Sequence, residues 1–277
     1  LHINRQASVL FVLPYILISA ALTLQSFWVS ANPQQDAADT KLTLRFCYED
    51  KQLLPYYTGN TVEVPNHPGA TIEHLERATA GLGINLQLFR MPWLRCLKQL
   101  EQGEVDALVA GYNAERAYYT IFPKDPFGQP DPSKAINSNA LCLTYRYDNN
   151  LPEKMNNENA LLTIARPLGY QALPLPPHAI LVDAYSPEQA LELVVSGRVD
   201  ATTITCKINS LVDNRLKIHH LPLKILQPPI YYSVGYLMFS QQFYQQYPLI
   251  TDNLWLALPK NLEQERYIKY LAYPVGF

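Results

Sequence analysis

Two stretches of this chain carry the same pattern, and that repeat constrains the fold more than any other feature. Leu97 to Ala107 and Leu191 to Ala201 both read Leu, five residues, Gly, one residue, then Val-Asp-Ala. In the first copy Leu94, Leu97 and Leu100 recur at helical spacing and make one apolar stripe. Gly103 then sits where a helix ends on a left-handed residue, as Gly197 does in the second copy. Val105 to Ala110 is short, apolar and bounded, which is the signature of a strand covered on both faces. Two such helix-to-strand units predict two α/β lobes of similar build. Ligands of open parallel sheets bind beyond the carboxyl ends of the strands, so the polar segments 111–116 and 202–207 are the first places to look for a site.

The rest of the chain supports alternating strands and helices. Leu42 to Tyr48 reads as the first strand, Ala70 to Leu82 as a helix and Ile84 to Phe89 as the next strand. Residues 49–68 read as a loop with a short hairpin at 61–64, and 121–133 as turn-rich. Strands follow at 140–147, 161–165 and 179–183, with a polar loop at 148–159. Pro174 to Pro177 forms a rigid elbow. Ser186-Pro187-Glu188 is a helix start, with Ser as cap and Pro in the first position. A strand at 199–205, a short helix at 206–213, a loop or strand at 218–227, a strand at 231–238 and amphipathic helices at 240–258 and 261–273 complete the chain. The recurrent βα order implies parallel sheets with right-handed crossovers.

Apolar residues make up 48% of the 277 and charged residues 17%, enough for a substantial core and too apolar for disorder. The formal charge of −2 argues against a nucleic-acid partner, which needs a basic field. Residues 1–31 read as a secretory signal: His2 and Arg5 are the basic end, 8–28 is apolar without charge, and Val29-Ser30-Ala31 is a small-residue cleavage site. A retained anchor is the rival reading of that segment. Residues 32–40 read as a flexible lead-in. In an exported chain the four cysteines, Cys47, Cys96, Cys142 and Cys206, favour disulfides, and four allow three pairings. The preferred pairing is Cys47–Cys96 with Cys142–Cys206, since Cys47 ends the first strand and Cys96 lies on the helix that would pack beside it; free buried thiols are the alternative.

No nucleophile elbow, H-E-x-x-H or P-loop occurs, and Gly81-Leu82-Gly83 lies at a helix end rather than after a strand. His219-His220 has no third ligand nearby, so no metal and no cofactor is expected. Glu49 and Asp50 are adjacent on a strand, face opposite sides and do not suit joint acid–base work.

With these residues in view, the chain resembles the type II periplasmic solute-binding proteins, the family that includes the polar amino-acid receptors of ABC transporters. The resemblance spans roughly residues 41–275 and rests on the order of its features more than on any one of them. These are the first strand followed by Pro55-Tyr56, the helix ending in Gly81-Leu82-Gly83-Ile84, and Trp93 through Val105-Asp106-Ala107. Glu115-Arg116, Gly169-Tyr170-Gln171 and Gly197-Arg198-Val199-Asp200-Ala201 complete the set. The resemblance implies an α/β fold of two lobes on two hinge strands, near 137–146 and 224–237, with residues 41–133 plus 228–277 in lobe 1 and 134–227 in lobe 2.

It also implies a ligand site. Trp93 matches an aromatic that stacks on the ligand, and Arg116 an arginine that grips its carboxylate. Gln171, with Tyr170, matches a turn that binds the same carboxylate from the second lobe, and Tyr56 belongs to the loop after the first strand. Tyr112-Asn113 stand where the family tends to have Ser or Thr, and Thr205 near an acid that holds an α-ammonium; here either Glu49 or Asp50 supplies that charge, or the ligand is no ordinary α-amino acid. The function implied is capture of a small polar solute, an amino acid or related carboxylate, by a monomeric periplasmic protein for a membrane permease. A receptor for a membrane signalling protein is the alternative. A dehydratase-like enzyme on the same fold ranks below both, and the chain is read as a non-enzyme.

Overall fold

The computed structural model describes residues 41–171, 173–213 and 220–272. The expected signal segment, the lead-in and His219 lie outside the described residues. Strand β1 (Thr43–Glu49) explains the architecture on its own. Its side chains alternate faces with period 2. Leu44, Phe46 and Tyr48 enter one core, with Ile72 and Leu75 of α1 (Ala70–Gly81) and with Trp255, Tyr267 and Tyr270 from the end of the chain. Cys47 enters another, with Cys96 and Leu100 of α2 (Trp93–Gln102). Strands β2 (Asn85–Met91) and β3 (Ala107–Gly111) flank β1 in parallel. Ala107 and Val109 share the first core and Leu108 and Ala110 the second, as a strand covered on both faces requires.

The other half repeats the plan. Strand β6 (Leu162–Pro167) is flanked in parallel by β7 (Ala179–Ala184) and β8 (Ala201–Ile208), and α5 (Pro187–Val195) leads into β8 as α2 leads into β3. Strands β5 (Asn137–Arg146) and β11 (Tyr231–Ser240) run antiparallel to their neighbours and to each other and join the halves. The sheet therefore reads β2-β1-β3-β11-β5-β8-β6-β7. Short strands β4 (Thr120–Ile121), β9 (Leu211–Val212) and β10 (Leu223–Ile225) pair with β11, β8 and β5. This is the two-lobed α/β arrangement with two connecting strands.

The repeat has an atomic basis. Gly103 closes α2 in the left-handed conformation, and Asp106 follows. Its carboxylate accepts from the Arg45 backbone N–H (2.7 Å) and from the Arg45 guanidinium (2.6 Å), while its own N–H donates to the Arg45 carbonyl (2.8 Å). Gly197 also has positive φ, and Asp200 follows it. The Asp200 carboxylate accepts from the Thr163 N–H (2.8 Å) and from Lys154 (2.6 Å), and its N–H donates to the Thr163 carbonyl (2.9 Å). Each aspartate thus pins the turn between helix and strand to the first strand of its own half.

Both preferred disulfides form: Cys47–Cys96 and Cys142–Cys206, each with Cα atoms 5.7 Å apart. Several expectations need correction. No hairpin forms at 61–64, where the chain runs through bends without pairing. The expected helix at 206–213 is strand instead: β8 continues to Ile208 and turns back into β9 through Asn209 and Ser210, both at positive φ. The expected helix at 240–258 is two, α6 (Gln241–Gln246) and α7 (Pro248–Ala257), because Pro248 cannot donate to a continuing ladder. The last helix, α8, is shorter than expected (Gln264–Leu271). Two six-residue helices were hidden in segments read as loops: α3 (Ala114–Tyr119) and α4 (Leu151–Asn156). Among the described residues no helix is long and apolar enough to cross a membrane.

Candidate functional site

The carboxyl ends of β1, β3 and β6, the middle of β8 and the first halves of β5 and β11 line a cavity of about 310 Å³. Arg116 is its most constrained polar group. Asn113 caps α3 by accepting from the N–H groups of Glu115 (2.7 Å) and Arg116 (3.4 Å), which sets the helix start so that Arg116 turns inward. The Arg116 side chain lines the cavity, and the residue is only 8% exposed. It donates to the carbonyls of Gly111 (3.2 Å) and Gly169 (3.4 Å). Burial lowers its pKa below the ordinary arginine value, with Tyr119 and Glu115 acting the other way. No carboxylate lies within ion-pair distance of it among the described residues.

Trp93 completes this corner. Its ring faces the Arg116 guanidinium at 5.7 Å, and its Nε1 donates to the Gly169 carbonyl at 3.2 Å. One carbonyl from the turn after β6 therefore receives both side chains. Gly169 is required there twice over: its φ is 76°, and a Cβ would stand 3.0 Å from the Trp93 ring and closer still to Leu94.

Further contacts link the two halves of the sheet across the cavity. Tyr170 Oη donates to Glu49 Oε2 at 2.8 Å, and Gln52 Nε2 to Glu188 Oε1 at 3.0 Å. Tyr56 Oη donates to Asn139 Oδ1 at 2.5 Å. Gln171 Oε1 reaches Gly111, where an added Cβ would stand 3.4 Å from it. Glu49 is buried, and burial pushes its carboxyl up to about 7; the Tyr170 hydrogen bond pulls it down and Asp50 pushes it further up. Burial also raises Glu188 above the usual carboxylate range.

Of the residues expected at the site, Trp93, Arg116, Tyr170, Gln171, Thr205, Glu49 and Tyr56 all line the cavity. Tyr112 and Asn113 are not among the lining residues. Tyr112 is 40% exposed and packs edge-on against Phe122 at 5.3 Å, and Asn113 spends its side chain on the cap. Asp50 is buried nearby but does not line the cavity.

Gln52, Asn139, Glu188, Asp213, Tyr231 and Ser233 also line it and are not among the residues expected there. Gln52 and Glu188 meet across 136 residues, a pairing no local pattern reveals. Arg166 could have been found: a charge on β6, a strand with Leu162, Ile164, Ala165 and Pro167 buried, needs a reason to be there. It lines the cavity, and its buried Nε has no hydrogen-bond partner among the described residues.

No protein-family model matches the sequence, and no curated protein matches it. The fold does match solved structures at low identity. The substrate-binding protein of an amino acid ABC transporter superposes with a TM-score of 0.59 at 17% identity, over 82% of this chain and 96% of that one. The ancestral amino acid-binding protein AncCDT-1, a precursor of cyclohexadienyl dehydratase, gives 0.60 at 16%, over 83% and 95%. A histidine kinase sensor domain with similarity to periplasmic binding proteins gives 0.57 at 13%, over 84% and 96%. The fold is that of the type II periplasmic binding proteins.

Proposed function

We propose that this protein binds a small solute carrying a carboxylate, holding it between two lobes for a membrane transporter. The observation that carries this reading is Arg116: a buried cation on the cavity wall with no carboxylate partner among the described residues. Burying a charge costs several kcal/mol unless an opposite charge compensates it. A guanidinium with donors to spare suits a carboxylate by its fork geometry. Trp93 stiffens that fork and presents a flat face beside it. Gln171 and Thr205 would supply donors from the opposite lobe, Tyr170 would hold Glu49 in place, and Glu49 and Tyr56 would close the near side.

The lobe boundaries are part of the same proposal: 41–133 with 228–277 in one lobe, 134–227 in the other, and hinges within 137–146 and 224–237. Two disulfides fit an oxidising compartment, which supports a periplasmic location. The protein acts as a monomer that delivers its ligand to a permease, as a binding protein and not as an enzyme.

Two other roles have an observation in their favour. A signalling receptor would use the same clamp, and a sensor domain shares the fold. A dehydratase-like enzyme would need a proton-transfer group, and Glu49, at about 7 on the cavity wall, is one. Consumption of the bound acid at catalytic protein levels would favour the enzyme.

Thermal unfolding in the presence of amino acids and organic acids tests the binding reading. Ligands should raise Tm in proportion to the logarithm of their concentration over Kd. Arg116→Ala should abolish the shift, with affinity falling by roughly a hundredfold or more as a charged hydrogen-bonded pair is lost. A panel of carboxylates that leaves Tm unmoved, or an unchanged shift in Arg116→Ala, rules the reading out.

A further inference from the structure

We infer that the ligand is a carboxylic acid with an apolar body and that it needs no α-ammonium group. The inference rests on the carboxylate reading of Arg116 and adds what the rest of the cavity says. Away from the Arg116 corner the wall mixes polar groups with an aliphatic part, to which Leu53, Leu141, Leu173, Leu175, Leu191 and Ile204 contribute. Leu173 and Leu175 come from an unusual connection. The chain from β6 to the parallel β7 would ordinarily cross over through a helix. Here residues 168–178 contain no helix among the described residues and carry Pro174, Pro176 and Pro177. Proline fixes φ and removes donors, and at Pro174 the chain makes a tight turn in which the Leu175 N–H donates to the Leu173 carbonyl (2.8 Å); Leu173 and Leu175, on either side of it, both line the cavity.

The carboxylates of the wall are partly engaged, and burial raises both Glu49 and Glu188, which disfavours the negative charge an ammonium would need. Glu49 already accepts from Tyr170, and Glu188 from Gln52. Asp213 already has a partner. The segment Thr203 to Thr205, on the opposite side, carries no acid at all. A polar side chain entering the leucine-lined space would lose water without gaining hydrogen bonds, whereas each methylene placed there gains about 0.8 kcal/mol, a factor of roughly four in affinity.

The test is a thermal-shift and calorimetric series on the full chain. The probes are acetate, butanoate, hexanoate and phenylacetate, against L-arginine, L-glutamate and L-leucine, with succinate and adipate as diacids. Affinity should climb roughly three- to fourfold per methylene from acetate to hexanoate. Hexanoate should bind at least as well as L-leucine, and Leu173→Ser should weaken hexanoate about tenfold and acetate far less. Tighter binding of L-arginine or L-glutamate than of hexanoate, abolished in Arg116→Ala, overturns this inference and keeps the carboxylate reading. Tighter binding of adipate than of hexanoate also overturns it and makes Arg166 a second anion anchor. If no member of the series binds, both readings fall.

Discussion

Glu49 shows most clearly how burial sets chemistry at single residues. Its carboxyl titrates near 7 in the folded chain, against 4.5 ordinarily, because desolvation outweighs the proton that Tyr170 donates to it. The folded state therefore keeps a proton that the unfolded chain releases from about pH 4.5 upward. Stability should fall as pH rises from about 4.5 to 7 and level off above, with a total effect on the order of 3 kcal/mol. Glu49→Gln should flatten that slope and stabilise the ligand-free protein at pH 8, as read by urea unfolding at pH 5 and 8. An unchanged slope would show that Glu49 is ordinarily ionised. Residues of this kind divide in how readable they are from sequence. Trp93, Arg116, Tyr170 and Gln171 are expected from the resemblance, and all four line the cavity. Gln52, Glu188 and Asp213 matter only because distant segments meet, and nothing near them in the chain announces it. Tyr112 and Asn113 were misplaced for a related reason: the polar stretch hides α3, and its cap takes the side chain expected to face a ligand.

At the scale of elements, the paired aspartates carry the argument. Asp106 and Asp200 occupy matching places after Gly103 and Gly197 and grip the neighbouring first strands through Arg45 and Thr163. Asp106→Ala and Asp200→Ala should each cost about 2–3 kcal/mol, the scale of a hydrogen-bonded charge, in chemical denaturation. Neither should alter ligand affinity beyond what lost stability explains, since neither lines the cavity. A costless Asp200→Ala would mean that the likeness of the two halves ends at sequence. Periodicity made the long strands and helices legible, and the glycines marked their ends. Six-residue helices such as α3 and α4 escaped because they complete too few turns to show a period. The expected 206–213 helix failed because Asn209 and Ser210 make a hairpin turn that looks, in sequence, like any polar break.

Over the whole molecule, the twofold pattern of the sequence predicts two halves, and the structure joins them through β5 and β11 in one continuous sheet. What the sequence could not convey is how the halves meet over the cavity. Trp93, Arg116, Gln52 and Tyr170 all bond across it, so the site is assembled by the fold rather than by any one segment. A clamp of this form predicts that bound solute travels with the protein. Native mass spectrometry of the protein purified gently from its own host, beside the Arg116→Ala variant prepared alike, tests this most directly. The account predicts an added mass on the wild type, identified on release as a carboxylic acid, and none on the variant. The same adduct on both proteins, or a released compound with no acidic group, would contradict it.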